Sequence, residues 1–334
     1  MESLTSKVLT FLQENPEGVS GQNICDACGV SRTAIWKVIR RLQEEGYEIE
    51  AVRNKGYRLL RAPEILGEEQ IRSYLHSKWA GQTIVWEEVT GSTNTDAKAL
   101  SEKGAADGTL VCAGSQEGGR GRMGRVWQSP PGTTISMTLL LKKEELPAEK
   151  ASTLTLVMAV AVAKAIAACI PENMQEKLQI KWPNDIVLNG RKICGILTEM
   201  TMEEFLIRDI VIGVGINVLQ ESFPEDIADM ASSLYLETGL RISKAKLIAL
   251  VCEEFEKAYE TFVQTMDLSG LKEYYETHMA GIGGKVRVLD PKEPYEGISR
   301  GIKESGDLLV EDGDGNIREV YAGEVSVRGL YGYV

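Results

Sequence analysis

One short loop in the sequence combines residue types suited to binding an anionic ligand. The run Gly119-Arg120-Gly121-Arg122-Met123-Gly124 matches the G-x-G-x-x-G spacing of dinucleotide-binding proteins. That kind of site needs a helix directly after the loop, but Pro130, Pro131 and Gly132 follow instead and lead into a strand pattern. The dinucleotide interpretation therefore fails. Four glycines and three arginines within 118–125 instead predict a mobile loop that wraps a multiply anionic ligand, with a solvated basic turn as the simpler alternative.

Four further segments place polar or small residues at the ends of predicted strands. They are Gly91-Ser92-Thr93-Asn94, Lys181-Trp182-Pro183-Asn184-Asp185, Lys192-Ile193-Cys194-Gly195-Ile196-Leu197 and Gly213-Val214-Gly215-Ile216-Asn217. Each segment has a simple structural explanation when it is considered alone. A hydroxyl can cap a helix, a tryptophan can fill the core, a lysine can be a solvated charge, and glycines can allow close packing of strands. Their occurrence together with the arginine loop in one chain requires a common explanation.

A locally basic segment near the N-terminus predicts a separate DNA-binding domain. Between positions 32 and 61, eight Lys and Arg residues stand against four Glu, although the whole chain has a net charge of −12. The order of elements over 1–62 is helix, helix, short turn, helix and β-hairpin, as in a winged helix-turn-helix. Ser31 is the predicted N-cap of the third helix, which ends near Gly46.

The candidates for DNA contact are the N-terminal and recurring residues of that third helix, together with the tip of the hairpin. They are Ser31, Arg32, Thr33, Trp36, Lys37, Arg40, Arg41, Arg53 and Lys55. Two alternatives stay open at this point. The motif could pack against protein rather than DNA, and Trp36 could belong to the core.

Length and composition predict a soluble protein of two or three domains. The chain has 334 residues, of which 43% are hydrophobic and 26% charged. No secretory leader opens the sequence, and six cysteines without a zinc-like arrangement predict a reduced cytoplasmic protein in which Cys25 and Cys28 only pack. The apolar stretch Ala151–Cys169 contains Lys164 and has no apolar flanks, so it predicts a buried core helix rather than a membrane span.

Periodicity predicts an α+β protein with three domains. Residues 1–62 form the winged helix-turn-helix, 65–280 a mixed β-sheet with helices, and 281–334 a small β-barrel, with a linker at Ala62-Pro63-Glu64. In the middle domain we predict strands at 84–89, 109–115, 135–141, 178–182, 193–200 and 207–218, and helices at 68–78, 94–103, 148–169 and 243–265. In the last domain we predict strands at 285–289, 297–302, 308–310 and 324–327.

With these motifs in place, the chain closely resembles bacterial bifunctional biotin–protein ligases that also act as biotin operon repressors. The resemblance spans essentially the whole chain, including the N-terminal domain that single-domain ligases of the family lack. It is carried by GSTN at 91–94, GRGRMGRVW at 119–127, KWPND at 181–185, KICGIL at 192–197 and GVGIN at 213–217. It implies a class II synthetase-like central sheet and an SH3-like C-terminal barrel.

The resemblance also implies a two-step reaction and assigns residues to it. Biotin and MgATP form biotinyl-5′-AMP, and a lysine of biotin carboxyl carrier protein then attacks the mixed anhydride. Biotin would be held by Ser92, Thr93, Asn94, Gln116, Arg120, Gly121, Arg122 and Lys192. The nucleotide would contact Arg120, Trp127, Asn184, Asp185 and Asn217, while Arg122, Lys192 and Asp185 would act in catalysis, with Mg²⁺ near Asp185. The segment 221–232 matches the loop that folds over the adenine, although Phe223 is its only aromatic residue.

The regulatory role that the resemblance implies is repression of biotin synthesis and uptake genes by a homodimer that biotinyl-AMP favours. Three alternatives stay open: a lipoate-type ligase of the same fold, a ligand-sensing repressor with weak ligase activity, and a ligase with a vestigial DNA-binding domain. The presence of Arg120, Arg122 and Lys192 argues against the second alternative, and the GRGRMGR loop with KWPND favours biotin over lipoate.

Overall fold

The computed structural model describes residues 4–44, 47–52, 56–61, 66–143, 146–203, 206–290, 293–321, 326–329 and 333–334. The chain folds into two compact units, Met1–Ile65 and Leu66–Val334. Arg53 and Lys55, the predicted linker at 62–64 and the predicted helix end at Gly46 lie outside the described residues.

The N-terminal unit is a three-helix domain with a β-hairpin, and this part of the predicted fold is confirmed. Its elements are α1 (Leu4–Glu14), α2 (Gly21–Cys28), α3 (Arg32–Glu44), β1 (Glu48–Val52) and β2 (Gly56–Arg61). The turn before α3 forms because Gly29 adopts a left-handed φ of 67°, which glycine allows. The Ser31 hydroxyl then accepts a hydrogen bond from the Ala34 amide at 3.3 Å, as expected for an N-cap.

The helix α3 has a sharply divided surface. Ile35, Ile39 and Leu42 are buried in the core of the unit. The predicted DNA-contacting residues of this helix all lie on the exposed side, namely Ser31, Arg32, Thr33, Trp36, Lys37, Arg40 and Arg41. The alternative that Trp36 belongs to the core is wrong, because the residue is 50% exposed and the Arg40 guanidinium lies 5.1 Å from its ring centroid.

The second unit is built on a mixed sheet, as predicted, which has seven strands rather than the six that the sequence indicated. Its strands are β3 (Ile84–Thr90), β4 (Leu110–Gln116), β5 (Thr134–Leu141), β6 (Leu178–Lys181), β7 (Asp185–Leu188), β8 (Arg191–Glu203) and β9 (Leu206–Asn217). They pair in the order β3-β4-β5-β9-β8-β7-β6, and only β3 and β4 run parallel. The helices of this unit are α4 (Glu68–Arg72), α5 (Thr93–Glu102), α6 (Leu154–Ala167), α7 (Glu172–Gln175), α8 (Leu234–Thr238), α9 (Lys244–Thr265) and α10 (Lys272–Thr277).

Helices cover both faces of this sheet, which explains why every residue of its central strand β5 is buried. On one face, Met137 and Leu139 join the main core with α6 and α9. On the other face, Leu140 and Val211 pack with Ala97 of α5. The segment Ala148–Ala167 is long and apolar enough to cross a membrane by length and composition, but twelve of the fourteen α6 residues are buried in this core, as the sequence predicted.

The C-terminal part of the second unit is a small antiparallel sheet, in agreement with the predicted β domain. Its strands are β10 (Lys285–Leu289), β11 (Tyr295–Ile302), β12 (Leu308–Glu311), β13 (Ile317–Val320) and β14 (Ser326–Gly329), in the order β13-β12-β11-β10-β14. Its apolar residues continue the main core. The Trp182 indole donates a hydrogen bond to the Gly306 carbonyl at 2.9 Å, which ties the KWPND turn to this sheet.

Some predicted boundaries are wrong for identifiable reasons. The helix predicted over 68–78 ends at Arg72, and the one predicted over 148–169 begins at Leu154 after a 3-10 turn at Ala148–Lys150. The strand predicted over 178–182 ends at Lys181, because the chain turns at Pro183 into β7, which the sequence analysis missed. Four short elements were also missed, namely α7, α8, α10 and β13. Each has only four to six residues, which is too few to show a clear hydrophobic periodicity.

Candidate functional site

The five motifs singled out in the sequence meet at one cavity of about 630 Å³ in the second unit. The ends of β4 and β9 and the beginning of β8 come together at one edge of the sheet. Every residue predicted for the biotin and nucleotide sites lines this cavity: Ser92, Thr93, Asn94, Gln116, Arg120, Gly121, Arg122, Trp127, Asn184, Asp185, Lys192 and Asn217. The fold therefore brings together side chains that lie up to 125 positions apart in the sequence.

The cavity is cationic in a protein that is acidic overall. Six Lys or Arg residues line it, at positions 98, 120, 122, 125, 181 and 192. The carboxylates that line it are Glu199, Asp185 and Asp226. Since the whole chain has a net charge of −12, this local excess of positive charge favours an anionic ligand.

One end of the cavity is a hydrogen-bond network around the beginning of α5. The Gln116 side-chain carbonyl accepts from the Thr93 amide at 2.8 Å and from the Thr93 hydroxyl at 3.1 Å. Gln116 rather than Ser92 therefore caps this helix, and the Ser92 side chain makes no capping hydrogen bond. As a consequence, the side-chain amide of Gln116 is the group that could donate to a ligand.

Asn94 is held by partners that the sequence analysis did not identify. Its side-chain oxygen accepts from Thr138 at 2.7 Å, and its amide donates to Glu199 at 2.7 Å and to the Leu197 carbonyl at 3.3 Å. A Cβ at position 213 would lie 2.3 Å from the Asn94 side-chain oxygen, so Gly213 is required for this arrangement. The side-chain oxygen and amide of Asn94, which are the atoms that could bond to a ligand, thus already hold the wall of the cavity together.

The charge of Glu199 is stabilised within this network. Burial raises its pKa, but hydrogen bonds from Asn94 and Lys98 outweigh that effect and hold the pKa below its ordinary value. The Lys98 ammonium lies 2.9 Å from the carboxylate. No sequence motif singled out Thr138, Lys98 or Glu199, because single polar residues in a strand or helix carry no pattern of their own.

The arginine loop forms a small hairpin at the mouth of the cavity. The Gly121 amide donates to the Arg125 carbonyl at 2.7 Å, and the Trp127 amide donates to the Gly119 carbonyl at 2.9 Å. Between them, Met123 has a left-handed φ of 56° and is 70% exposed. The structure therefore gives this loop a defined conformation, whereas the sequence suggested only that it is mobile.

Arg122 reaches from this loop to the KWPND turn. Its guanidinium donates to the Asn184 side-chain oxygen at 3.2 Å, and the Asn184 amide donates to the Ile196 carbonyl at 3.0 Å. Burial lowers the pKa of Arg122, while the charge of Asp185 opposes that shift. Arg122 stays cationic at neutral pH, because a guanidinium is not deprotonated in proteins.

Lys192 and Asp185 form an ion pair beside this contact. The ammonium lies 2.6 Å from one carboxylate oxygen, and the two side chains are only 25% and 13% exposed. The same ammonium lies 5.5 Å from the centroid of the Trp127 ring. The pair therefore places a partly desolvated cation next to a flat aromatic surface.

Two glycines make room for the Trp127 ring. A Cβ at Gly215 would lie 2.5 Å from Trp127 Cε2, and a Cβ at Gly195 would lie 3.2 Å from Cζ3. The GVGIN and KICGIL motifs therefore have a shared physical purpose, because their glycines allow an indole to lie flat on β8 and β9. The sequence analysis interpreted these glycines only as strand packing and did not connect them with Trp127.

The far end of the cavity is closed by the segment 219–233. Its backbone is bonded to β8, since the Lys192 amide donates to the Met230 carbonyl at 2.7 Å and the Ser232 amide donates to the Lys192 carbonyl at 2.8 Å. Asn217 also donates to the Ser232 carbonyl at 2.9 Å. Phe223 lines the cavity from this segment, and Trp127, Trp182 and Tyr333 are the other aromatic residues that line it. Aromatic rings of this kind can stack on a planar ligand.

Comparison with known families matches all three parts of the chain. The biotin/lipoate A/B protein ligase family matches residues 86–217, an HTH domain matches 5–58, and the biotin protein ligase C-terminal domain matches 281–328. The first match contains all five motifs that line the cavity.

Among individual proteins, the chain is similar to the bifunctional ligase/repressor BirA of Bacillus spizizenii, with 42% identity over 95% of this chain and 96% of that protein. Escherichia coli BirA is 33% identical over 96% of each chain. A biotin protein ligase from Aquifex aeolicus, solved with biotin and ATP, superposes with a TM-score of 0.64 and 28% identity, covering 74% of this chain and 99% of that one.

Proposed function

The chain belongs to the biotin/lipoate A/B protein ligase family, as its motifs predicted, and we propose that its cavity joins biotin to AMP before transfer to a carrier protein. The chain is a biotin–protein ligase and repressor of the bifunctional type, since it matches such proteins over 95% of its length, helix-turn-helix included. The observation that carries the site assignment is the convergence of Arg122, Lys192 and Trp127 on one cationic cavity.

The first step forms a bond between two negatively charged groups. An oxygen of the biotin carboxylate attacks the α-phosphorus of ATP, the bond to the bridging oxygen breaks, and pyrophosphate leaves. Negative charge accumulates around the phosphorus, so fixed cations in a water-poor cavity stabilise the transition state most. Lys192 and Arg122 supply these cations, and each contacts a residue of the KWPND turn, Lys192 at Asp185 and Arg122 at Asn184. Ser92, Thr93 and Gln116 hold biotin, with Arg120 and Gly121 covering it.

The second step transfers the biotinyl group to a lysine. The ε-amine of the carrier lysine attacks the carbonyl carbon of the mixed anhydride and loses a proton to solvent, an amide bond forms, and AMP leaves with the electron pair of the broken bond. Closure of the Arg120–Arg125 hairpin keeps water away until that amine arrives. Trp127 and Phe223 flank the base, with Asn217 at its edge.

The site would hold Mg²⁺ together with the nucleotide. Within the described part of the chain, no group of three or more His, Cys, Asp and Glu side chains could hold a metal ion by itself. One carboxylate with phosphates and water is nevertheless a donor set that suits Mg²⁺, and Asp185 is the side chain that would contribute to it. When bound, the ion neutralises charge on the phosphates.

A labelling experiment tests the activity. The purified chain is incubated with radiolabelled biotin, ATP and Mg²⁺, and then with a biotin carboxyl carrier domain. We expect a protein-bound adenylate and subsequent labelling of one carrier lysine, with unlabelled biotin competing far better than lipoate. Better competition by lipoate would favour the lipoate-type alternative, and adenylate binding without carrier labelling would favour a ligand-sensing repressor.

Substitution of Gly215 by alanine tests the position of Trp127. The added Cβ would displace the indole, and displacement of a wall of the site by about 1 Å lowers kcat/KM up to about a hundredfold. ATP–pyrophosphate exchange measures the effect. Gly313→Ala is the matched control, because a Cβ at Gly313 meets no atom within 4 Å. Equal exchange rates in the two variants would show that the indole does not form this wall.

The N-terminal unit gives the protein its repressor function, and we assign DNA contact to the exposed side of α3. Ser31, Arg32, Thr33, Trp36, Lys37 and Arg40 lie there. Arg53 and Lys55, which lie outside the described residues, belong to the same proposal on the basis of the sequence. One such unit makes few contacts, so a homodimer that reads two half-sites is required for useful affinity. The exposed basic helix argues against a vestigial DNA-binding domain. We place the protein in the cytoplasm, where operator DNA and carrier are available.

We expect biotin plus ATP to drive dimer formation and thereby DNA binding. Closure of the arginine hairpin and of segment 219–233 onto the adenylate would couple the ligase site to the dimer interface. Sedimentation velocity at micromolar protein should show a larger species with both ligands than with biotin alone. A mobility shift on upstream DNA should strengthen in parallel. A monomer that biotin plus ATP leaves unchanged would remove this mechanism.

A further inference from the structure

Tyr333 lies in the wall of the cavity although it follows the last strand, β14, in the sequence and belongs to no motif. Its hydroxyl donates a short hydrogen bond to Asp185 Oδ2. The Lys181 ammonium lies 3.3 Å from the centroid of its ring. The next residue, Val334, places a methyl group 3.5 Å from the position that a Cβ on Gly190 would take. Tyr333 is thus held on the hairpin that carries Asp185 and Lys192.

The contact with Tyr333 completes a row of three interacting side chains, Tyr333, Asp185 and Lys192. The Lys192 ammonium lies 2.6 Å from Asp185 Oδ1, while the phenol occupies Oδ2. Both oxygens of a carboxylate that is only 13% exposed are therefore engaged from different directions. Rotation of this carboxylate about its Cβ–Cγ bond would break the hydrogen bond from Tyr333 at Oδ2 and move Oδ1 away from the Lys192 ammonium.

We propose that Tyr333 is a positioning residue for adenylation, which acts through Asp185 to hold the Lys192 ammonium toward the reacting phosphate. The inference rests on the proposed function. Its physical basis is that Lys192 has a flexible four-carbon stem, so a fixed counter-ion decides where its charge lies. The phenol supplies that fixation, and the cation above the ring keeps the phenol in place.

Tyr333→Phe isolates the hydroxyl, because the phenyl ring still accepts the Lys181 contact. Loss of a hydrogen bond to a charged group is expected to lower the single-turnover rate of adenylation about tenfold. The KM for biotin should change much less, because the Tyr333 hydroxyl acts on the Asp185–Lys192 ion pair, which faces the phosphate. Tyr321→Phe is the matched control, since Tyr321 is 57% exposed in the same domain and its variant should equal the parent.

A double-mutant cycle with Asp185→Asn distinguishes positioning from a general structural effect. If the hydroxyl acts through the carboxylate, Tyr333→Phe should slow adenylation less than twofold further in the Asp185→Asn background. The same cycle is measured on chemical unfolding of the full chain, which does not depend on catalysis. Non-additive effects in both cycles support the proposal.

Two results would overturn the inference: adenylation at the parent rate in Tyr333→Phe, or additive effects of the two substitutions in both cycles. Failure of the proposed function would be distinguishable from either result. A parent protein that makes no adenylate would refute the function, while the unfolding cycle would still decide whether Tyr333 and Asp185 are coupled.

Discussion

Replacement of Lys192 with methionine is expected to lower the rate of adenylate formation by a factor of about a hundred to a thousand. Methionine has a similar length but no charge, so the variant removes the cation and leaves most of the packing. A preorganised group of this kind typically contributes about 10²–10³ in kcat. The variant also leaves the Asp185 carboxylate without the ammonium 2.6 Å away, which adds repulsion toward the triphosphate.

ATP–pyrophosphate exchange in the presence of biotin measures this effect directly. Lys192→Arg should recover part of the rate, because it restores a charge but not the compact ammonium. Lys257→Met is the control, since Lys257 forms an ion pair with Glu254 of the same helix, α9, and its side chain is 65% exposed. Exchange by Lys192→Met within threefold of the parent would show that Lys192 does not face the reacting atoms.

The second large effect is expected for Arg122→Gly, which should release the intermediate rather than abolish its formation. The guanidinium anchors the hairpin to Asn184 at 3.2 Å, and the glycine would also loosen the loop. Loss of a hydrogen bond made by a charged group corresponds to about a ten- to hundredfold faster release of biotinyl-AMP. The free mixed anhydride would then label lysines on bystander proteins.

Gel filtration after incubation with labelled biotin and ATP measures retention of the adenylate, and labelling of added serum albumin measures its escape. Met123→Gly is the matched control for loop flexibility, because Met123 is the neighbouring residue and is 70% exposed. The control should retain its adenylate and leave albumin unlabelled. Retention by Arg122→Gly equal to that of the parent would contradict the anchoring role.

The sequence predicted those parts of the site whose residues are contiguous in the chain. Each of three motifs carries the charged or polar side chains that suit an anionic ligand: the arginine loop, KWPND and KICGIL with its lysine. Their convergence on one anion could therefore be proposed before the structure was known. The same holds for α3, where apolar residues at 35, 39 and 42 leave the basic residues on the opposite side. Patterns of this kind are local and therefore visible in a single sequence.

What the sequence could not predict depends on contacts between distant positions. Thr138 and Glu199 position Asn94 from two different strands, and neither belongs to a recognisable pattern. The glycines at 195 and 215 acquire their meaning only when Trp127 is placed on them. These relations follow from strand order and register, which a single sequence does not specify.

A crystal structure of the protein grown with biotin and ATP would test the central claim most directly, since that claim is about which groups meet the new bond. The account predicts biotinyl-AMP in the cavity, with the Lys192 ammonium and the Arg122 guanidinium each about 3 Å from oxygens at the carboxyl–phosphate junction. Density for the adenylate with neither group within hydrogen-bonding distance of that junction would contradict it.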